Sequence, residues 1–353
     1  MTDGGSPSPG VAPPNPHLWS RDGFLGTNAI ALRADYTPTY YSVSGPHAPR
    51  RIMLADVPAE DMDDPAALPT TIMAARNGLE LAVSRRRAAM AFTLRNAEAD
   101  ELHFVQAGRV LFRTDFGDIE AGPLDFVFLP RAISYRVEPL DDELSVMILS
   151  SPEPLRFDTP APFGMINFGM AVRRPAIAGE RRELVGRNVL LIKSYDGITR
   201  FEMVNDPLQA MRQVGGANPI WALNLRDIVP VSYGDHGGPP AQFLSTADTA
   251  VMCYTLSARP GRRPPVHHNA DYDELILYAA GPGAWGKVDR PGTLTWVPKA
   301  VTHHGPVENV PEGYQAWLIE VRPTMRMTAV AQPHSVLIET SEYGVQVPGP
   351  GRS

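Results

Sequence analysis

Pro264-Pro265-Val266-His267-His268-Asn269-Ala270-Asp271-Tyr272-Asp273-Glu274-Leu275 is answered later in the chain by Val297-Pro298-Lys299-Ala300-Val301-Thr302-His303-His304-Gly305-Pro306. A pair of histidines and a carboxylate come first, and a second pair of histidines follows. Between them lie an apolar run, Leu275 to Ala280, and a turn at Gly281-Pro282-Gly283. Each cluster is flanked by strand-like sequence. Two imidazoles and one carboxylate are the donor set of a mononuclear Fe(II) site that keeps coordination positions open.

The spacing is similar to that of cupin-type β-barrels, which carry H-x-H-x(3,4)-E-x(6)-G on one hairpin and G-x(5)-P-x-G-x(2)-H on a later one. His267-x-Asn269-x(4)-Glu274-x(6)-Gly281 follows the first pattern, with asparagine for the second histidine. Gly292-x(5)-Pro298-x-Ala300-x(2)-His303 follows the second, with alanine for glycine. Side chains alternate across a strand, so His267 and Asn269 are expected to face inward and His268 outward. His267, Glu274 and His303 are the expected metal ligands. If a bulge shifts the pleat, His268 and His304 replace their neighbours. Otherwise these two are placed for proton transfer or for hydrogen bonds near the metal, and they are the candidate catalytic residues. Tyr278 lies four residues beyond Glu274 and shares its face in a regular strand. With Trp285 it is a candidate to wall an aromatic substrate, the alternative being that both are core aromatics.

The same unit occurs earlier in altered form. Asn96-Ala-Glu-Ala-Asp-Glu101-Leu-His-Phe-Val-Gln-Ala-Gly108 matches Asn269 to Gly281 at seven of thirteen positions, and Leu129-Pro130-Arg-Ala-Ile-Ser-Tyr135 parallels Val297 to His303. The repeat predicts an all-β bicupin chain, two tandem double-stranded β-helix (jelly-roll) barrels with few short helices. It also separates the two units. Leu94 and Tyr135 stand where His267 and His303 stand, so the first barrel keeps a carboxylate, Glu101, without the imidazoles. The first is expected to be structural and the second to hold the metal.

The expected organisation is a disordered segment 1–17, a first barrel 18–165, a connector with strands 166–215, a second barrel 216–325 and a tail 326–353. At 353 residues the chain can bury two sizeable cores. Its 36 prolines and 30 glycines punctuate many short segments, as an all-β chain requires. A net charge of −7 without a basic block speaks against nucleic acid. No apolar run reaches membrane-spanning length, and one cysteine, Cys253, excludes an intrachain disulfide and suits a reducing, cytoplasmic setting. The Arg85-Arg86-Arg87 triplet is expected to be a solvated turn. His17, His47, His103, His236 and His334 are read as structural, with His103 facing the first barrel's interior.

At these residues the chain resembles the homogentisate 1,2-dioxygenase family, double-cupin Fe(II) enzymes that open a hydroquinone ring. The resemblance rests on Asp22-Gly-Phe-Leu-Gly26, Asn218-Pro219-Ile-Trp-Ala-Leu-Asn224-Leu225, Arg263-Pro264-Pro265 with the His/Asn/Glu run, and His304-Gly305-Pro306. It implies Fe(II) as cofactor and a small aromatic substrate and O2 as reactants; a homo-oligomer is a separate expectation. By the family's motif His304 would be the third ligand, whereas barrel spacing and the repeat give His303. A family histidine associated with acid–base work is missing at Val214-Gly215-Gly216-Ala217, so a hydroxylated aromatic other than homogentisate is the expected substrate. Other readings are a different metal-dependent cupin enzyme, an isomerase or non-cleaving oxygenase, or a binding cupin without turnover.

Overall fold

The two repeated strands show how the chain is built. In Asp273–Ala280, Leu275, Leu277 and Ala279 enter one apolar core, while Tyr278 belongs to another cluster on the opposite face. In Asp100–Ala107, Leu102 and Phe104 enter the same shared core, and Val105 faces a different one. Each central strand is therefore buried on both faces, one toward its own barrel and one toward the neighbouring barrel. This accounts for the nearly continuous apolar runs around the few polar residues that face a barrel interior.

A computed structural model describes residues 15–23, 26–33, 36, 38–158, 164–177, 183–184, 186–209, 211–231, 239–257, 266–282, 288–303 and 312–338. The first barrel pairs a seven-stranded sheet, in which Asp100–Ala107 lies between Asp125–Leu129 and Ser145–Ser151, with a six-stranded sheet that includes Thr93–Asn96 and Ser134–Pro139. The second pairs an eight-stranded sheet, in which Asp273–Ala280 lies between Gln315–Val321 and Thr293–Val297, with a three-stranded sheet ending on Val266–Asn269. The chain is all-β, built as two barrels in tandem. The long faces of the seven- and eight-stranded sheets meet across a core in which the rings of Phe104, Phe126, Phe243 and Trp317 pack at centroid distances of 4.9 to 5.6 Å. Offset and edge-on contacts of this kind add to the large area such rings bury.

The repeat extends to the connections. Trp221–Asn224 pairs with Asp125–Leu129 of the first barrel, and Arg50–Met53 pairs with Thr293–Val297 of the second. Likewise Leu155–Phe157 joins the second barrel's sheet and Arg326–Met327 the first's. Each half of the chain thus lends strands to the other, and no cut in the sequence near residue 165 or 216 separates the two sheets. The hairpin Asn188–Ser194/Gly197–Met203, in the expected connector, lies parallel against Thr93–Asn96; the hairpin Asn15–Ser20/Asn28–Arg33 lies parallel against Val266–Asn269. The first of these N-terminal strands begins at Asn15, inside the segment expected to be disordered.

The arginine triplet departs from expectation. Arg85 donates to Ala55 and Val57 carbonyls, and Arg87 makes an exposed pair with Asp63. Arg86, however, is only 1% exposed and pairs with Asp61 at 3.3 Å, with further bonds to the carbonyls of Pro65 and Ala67. A guanidinium can be buried there because carboxylate and carbonyl acceptors surround it. Among the described residues no helix is long and apolar enough to cross a membrane.

Candidate metal centre

His267 lies on Val266–Asn269, Glu274 is the second residue of Asp273–Ala280, and His303 follows the loop after Thr293–Val297. That loop places His303 through a left-handed residue: Ala300 has φ of 65° and donates its N–H to the Asn269 carbonyl at 2.7 Å. The usual glycine of this turn is thus replaced without a change of backbone, as at Ala132 in the first barrel, which also has φ of 65° and bonds to the Asn96 carbonyl. A non-glycine residue there costs roughly 1–2 kcal/mol.

His267 and His303 then face each other. Their backbones exchange two hydrogen bonds, 2.8 and 2.9 Å, and their rings lie 4.3 Å apart. One donor atom from each of His267, Glu274 and His303 falls within 4.8 Å of the others. His303 Nδ1 lies 2.9 Å from the Val301 carbonyl. Because a carbonyl only accepts, Nδ1 carries the proton and the Nε2 lone pair is left over. Nε2 is buried, makes no hydrogen bond, and lies 3.7 Å from Glu274 Oε2. An orphaned imidazole nitrogen beside a carboxylate and a second imidazole fits a divalent cation of the borderline class.

Glu274 and His303 also stabilise each other's charged forms. Burial pushes the Glu274 carboxyl up, but His303, His267 and Asn269 outweigh it and hold it below its ordinary value. Burial pushes His303 down, and Glu274 together with the Val301 carbonyl brings it above the usual imidazole value. Asn269, the residue in place of a second motif histidine, donates to Glu274 Oε2 at 3.4 Å.

The first barrel shows what the same scaffold does without imidazole at those positions. Leu94 pairs with Tyr135, as His267 pairs with His303. Glu101 accepts from Tyr135 at 2.6 Å and Asn96 at 2.8 Å, and lies 3.1 Å from His103 Nε2. The space left inside is about 10 Å³, room for one water at most. Among the described residues only the second barrel brings three such ligands together.

The remaining candidates fall differently. His268 sits on the side of its strand opposite His267 and Asn269, with Nδ1 3.0 Å from His17 Nε2 on the N-terminal hairpin. Tyr278 is fully buried, stacked on Tyr314 at 5.4 Å, with its hydroxyl donating to the Gly281 carbonyl; it is a core ring with no face open to a substrate. His304 and Trp285 lie outside the described residues. One residue not singled out from sequence is Glu320, 1% exposed and directly across from Glu274 in the neighbouring strand. Burial and then the Glu274 charge push its carboxyl up to about 8, against the opposing hydrogen bond from Tyr254. Its signal was a lone acid inside the apolar run Ala316-Trp317-Leu318-Ile319-Glu320-Val321.

No family model matches the chain. A Saccharolobus solfataricus protein with a provisional dioxygenase name is 26% identical over 203 residues, 53% of this chain and 51% of that protein. Homogentisate 1,2-dioxygenase of Pseudomonas entomophila is 28% identical over 180 residues, 49% of this chain and 41% of the enzyme. The chain thus spans about half the length of the curated relatives it matches, or less. Among solved structures, Bacillus subtilis oxalate decarboxylase aligns over 87% of this chain and 82% of its own at 11% identity, with a TM-score of 0.42.

The Glu101 environment gives a stability prediction. Burial pushes this carboxyl up, but the His103, Tyr135 and Asn96 donors overcome it and lower the value from 4.5 to about 2. A depressed carboxyl stabilises the fold above its unfolded value and loses that contribution as pH falls through the folded one. Chemical denaturation of wild type and Glu101→Gln should therefore differ most at neutral pH, and the gap should close by about 3 kcal/mol from pH 5 to pH 2. Parallel pH dependence of the two proteins would show that Glu101 is not held in this way.

Proposed function

We propose that the chain is a non-haem Fe(II) dioxygenase that opens the ring of a hydroxylated aromatic compound with O2. The observation that carries the reading is the convergence of His267, Glu274 and His303, with the His303 Nε2 lone pair buried and unclaimed. The two relatives, one provisionally a dioxygenase and the other homogentisate 1,2-dioxygenase, support the same reaction class. His267, Glu274 and His303 would hold the iron, which would supply the activation of O2 toward the bound aromatic. In the net reaction one ring C–C bond breaks and both atoms of O2 enter the product.

The chain's own residues do the rest. The Val301 carbonyl fixes the His303 tautomer, and the Asn269 amide orients the Glu274 carboxylate. With asparagine at 269 the imidazole and carboxylate donors number three, which would leave further coordination positions for substrate and O2. Proton transfer from the substrate phenol is assigned to His304. His268, which faces His17, is assigned the holding of its strand against the N-terminal hairpin. We retain His303 rather than His304 as ligand because it occupies the place of Tyr135 in the repeat, whose hydroxyl reaches the equivalent carboxylate.

Single alanine variants separate the two roles. His303→Ala should lose both bound iron and turnover. His304→Ala should keep iron and lose rate by about 10²- to 10⁴-fold, the range for a general acid–base group. The reverse pattern would give the ligand role to His304.

The substrate is expected to differ from homogentisate, because Val214 to Ala217 carries no histidine. A pocket that leaves a polar group of the wrong substrate unpaired discriminates by as much as about 10⁴-fold. Oxygen uptake with homogentisate, gentisate, hydroquinone and catechols, compared as kcat/KM, checks this. A hydroxylated aromatic other than homogentisate should be preferred; homogentisate fastest by a wide margin would contradict it, and no uptake with any of them would remove ring cleavage.

A further inference from the structure

The N-terminal strand Asn15–Ser20 precedes the metal-site strand by most of the chain, yet it lies directly beside it. His17, Leu18, Trp19 and Ser20 pair in parallel with Val266, His267, His268 and Asn269. The Ala270 N–H donates to the Ser20 carbonyl at 2.9 Å. Arg21 then makes a two-pronged pair with Asp271, both contacts 3.0 Å. Two residues further on, Gly23 (φ 67°) closes over the barrel interior. A Cβ there would lie 2.8 Å from Glu320 Oε2 and 2.9 Å from the Tyr254 hydroxyl.

Within this contact Ser20 Oγ donates to Asn269 Oδ1 at 2.9 Å, across 249 residues of sequence. Both residues are buried. The direction of the chain of bonds follows from the chemistry of its ends. Glu274 accepts only, so Asn269 must turn its NH2 toward it and its oxygen toward Ser20. The serine hydroxyl is then obliged to donate. The first barrel solves the same problem locally: Asn96 donates to Glu101, while the backbone N–H groups of Glu98 and Ala99 hold its oxygen. There the residue at the position of Ser20 is Lys193, which pairs with Glu80 instead. Without the serine hydroxyl the Asn269 oxygen loses its donor among the described residues. The amide is then free to rotate and set its oxygen against the carboxylate.

We propose that Ser20 is a positioning residue of the metal site, acting through Asn269 on Glu274, so that the N-terminal hairpin is part of the site. This rests on the reading of His267, Glu274 and His303 as metal ligands. Its test is Co(II) binding to the full chain, measured by competition with a chromophoric chelator and by the visible ligand-field spectrum. Ser20→Ala should weaken Co(II) affinity by about 10- to 100-fold and alter the spectrum, the usual scale for a group that orients a ligand. Ser20→Thr and Ser20→Val have nearly the same shape and differ in the hydroxyl, so they keep the comparison valid if the alanine variant folds poorly. Thr should bind as wild type does and Val as Ala does. Equal affinity and equal spectra for Thr and Val would overturn the relay. His267→Ala separates the two ideas: if it loses Co(II) while Val retains it, only the relay fails. If wild type binds no more tightly than His267→Ala, the metal reading fails and the relay with it.

Discussion

A carboxylate inside a β-barrel has to be compensated. Moving it out of water costs several kcal/mol even after relaxation, unless donors or charges surround it. Both halves of this chain carry a glutamate at the second position of a central strand, Glu101 and Glu274, and each barrel's interior is arranged around that one group. In the first barrel a phenol, an imidazole and an amide compensate it and fill the interior. In the second, two imidazoles and an amide surround it, and one imidazole nitrogen makes no hydrogen bond. The difference between the first barrel's interior and the candidate metal centre comes down to Leu94 and Tyr135 against His267 and His303.

Holding three donors to within a few ångströms requires rigid neighbours. The central strands are clamped on both faces, by their own barrel and by the shared aromatic core of Phe104, Phe126, Phe243 and Trp317. The exchanged strands at residues 50–53, 155–157, 221–224 and 326–327 tie the halves together further. The first barrel therefore contributes to the site by packing, through the shared face of Asp273–Ala280. The N-terminal hairpin contributes by direct hydrogen bonding. Neither contribution follows the order of the sequence.

What could be read from sequence was whatever is encoded at short range or by repetition. The paired spacings around His267, Glu274 and His303 survive because strand alternation and one tight turn convert spacing directly into direction. The second copy at Asn96 to Gly108 made two barrels legible. Strand exchange was not legible, since nothing local in Trp221-Ala-Leu-Asn224 or Leu155-Arg-Phe157 says which sheet completes it. Arg86 looked like one of three solvated arginines because its acceptor Asp61 is distant in sequence and its carbonyl partners carry no sequence signature at all. Tyr278 shares a face with Glu274 as alternation requires, but four residues along a strand amount to roughly 13 Å, and at that remove the face is core. Glu320 and Ser20 became visible only when strands far apart in the chain were laid side by side.

The central claim is that iron is held once per chain and by the second barrel. Elemental analysis of protein reconstituted anaerobically with Fe(II), on wild type, Glu274→Ala and Glu101→Gln, addresses it most directly. The account predicts about one iron per chain in wild type and in Glu101→Gln, and close to none in Glu274→Ala, since the carboxylate is one of only three protein donors. Two irons per chain in wild type, or iron retained at full occupancy by Glu274→Ala, would contradict it.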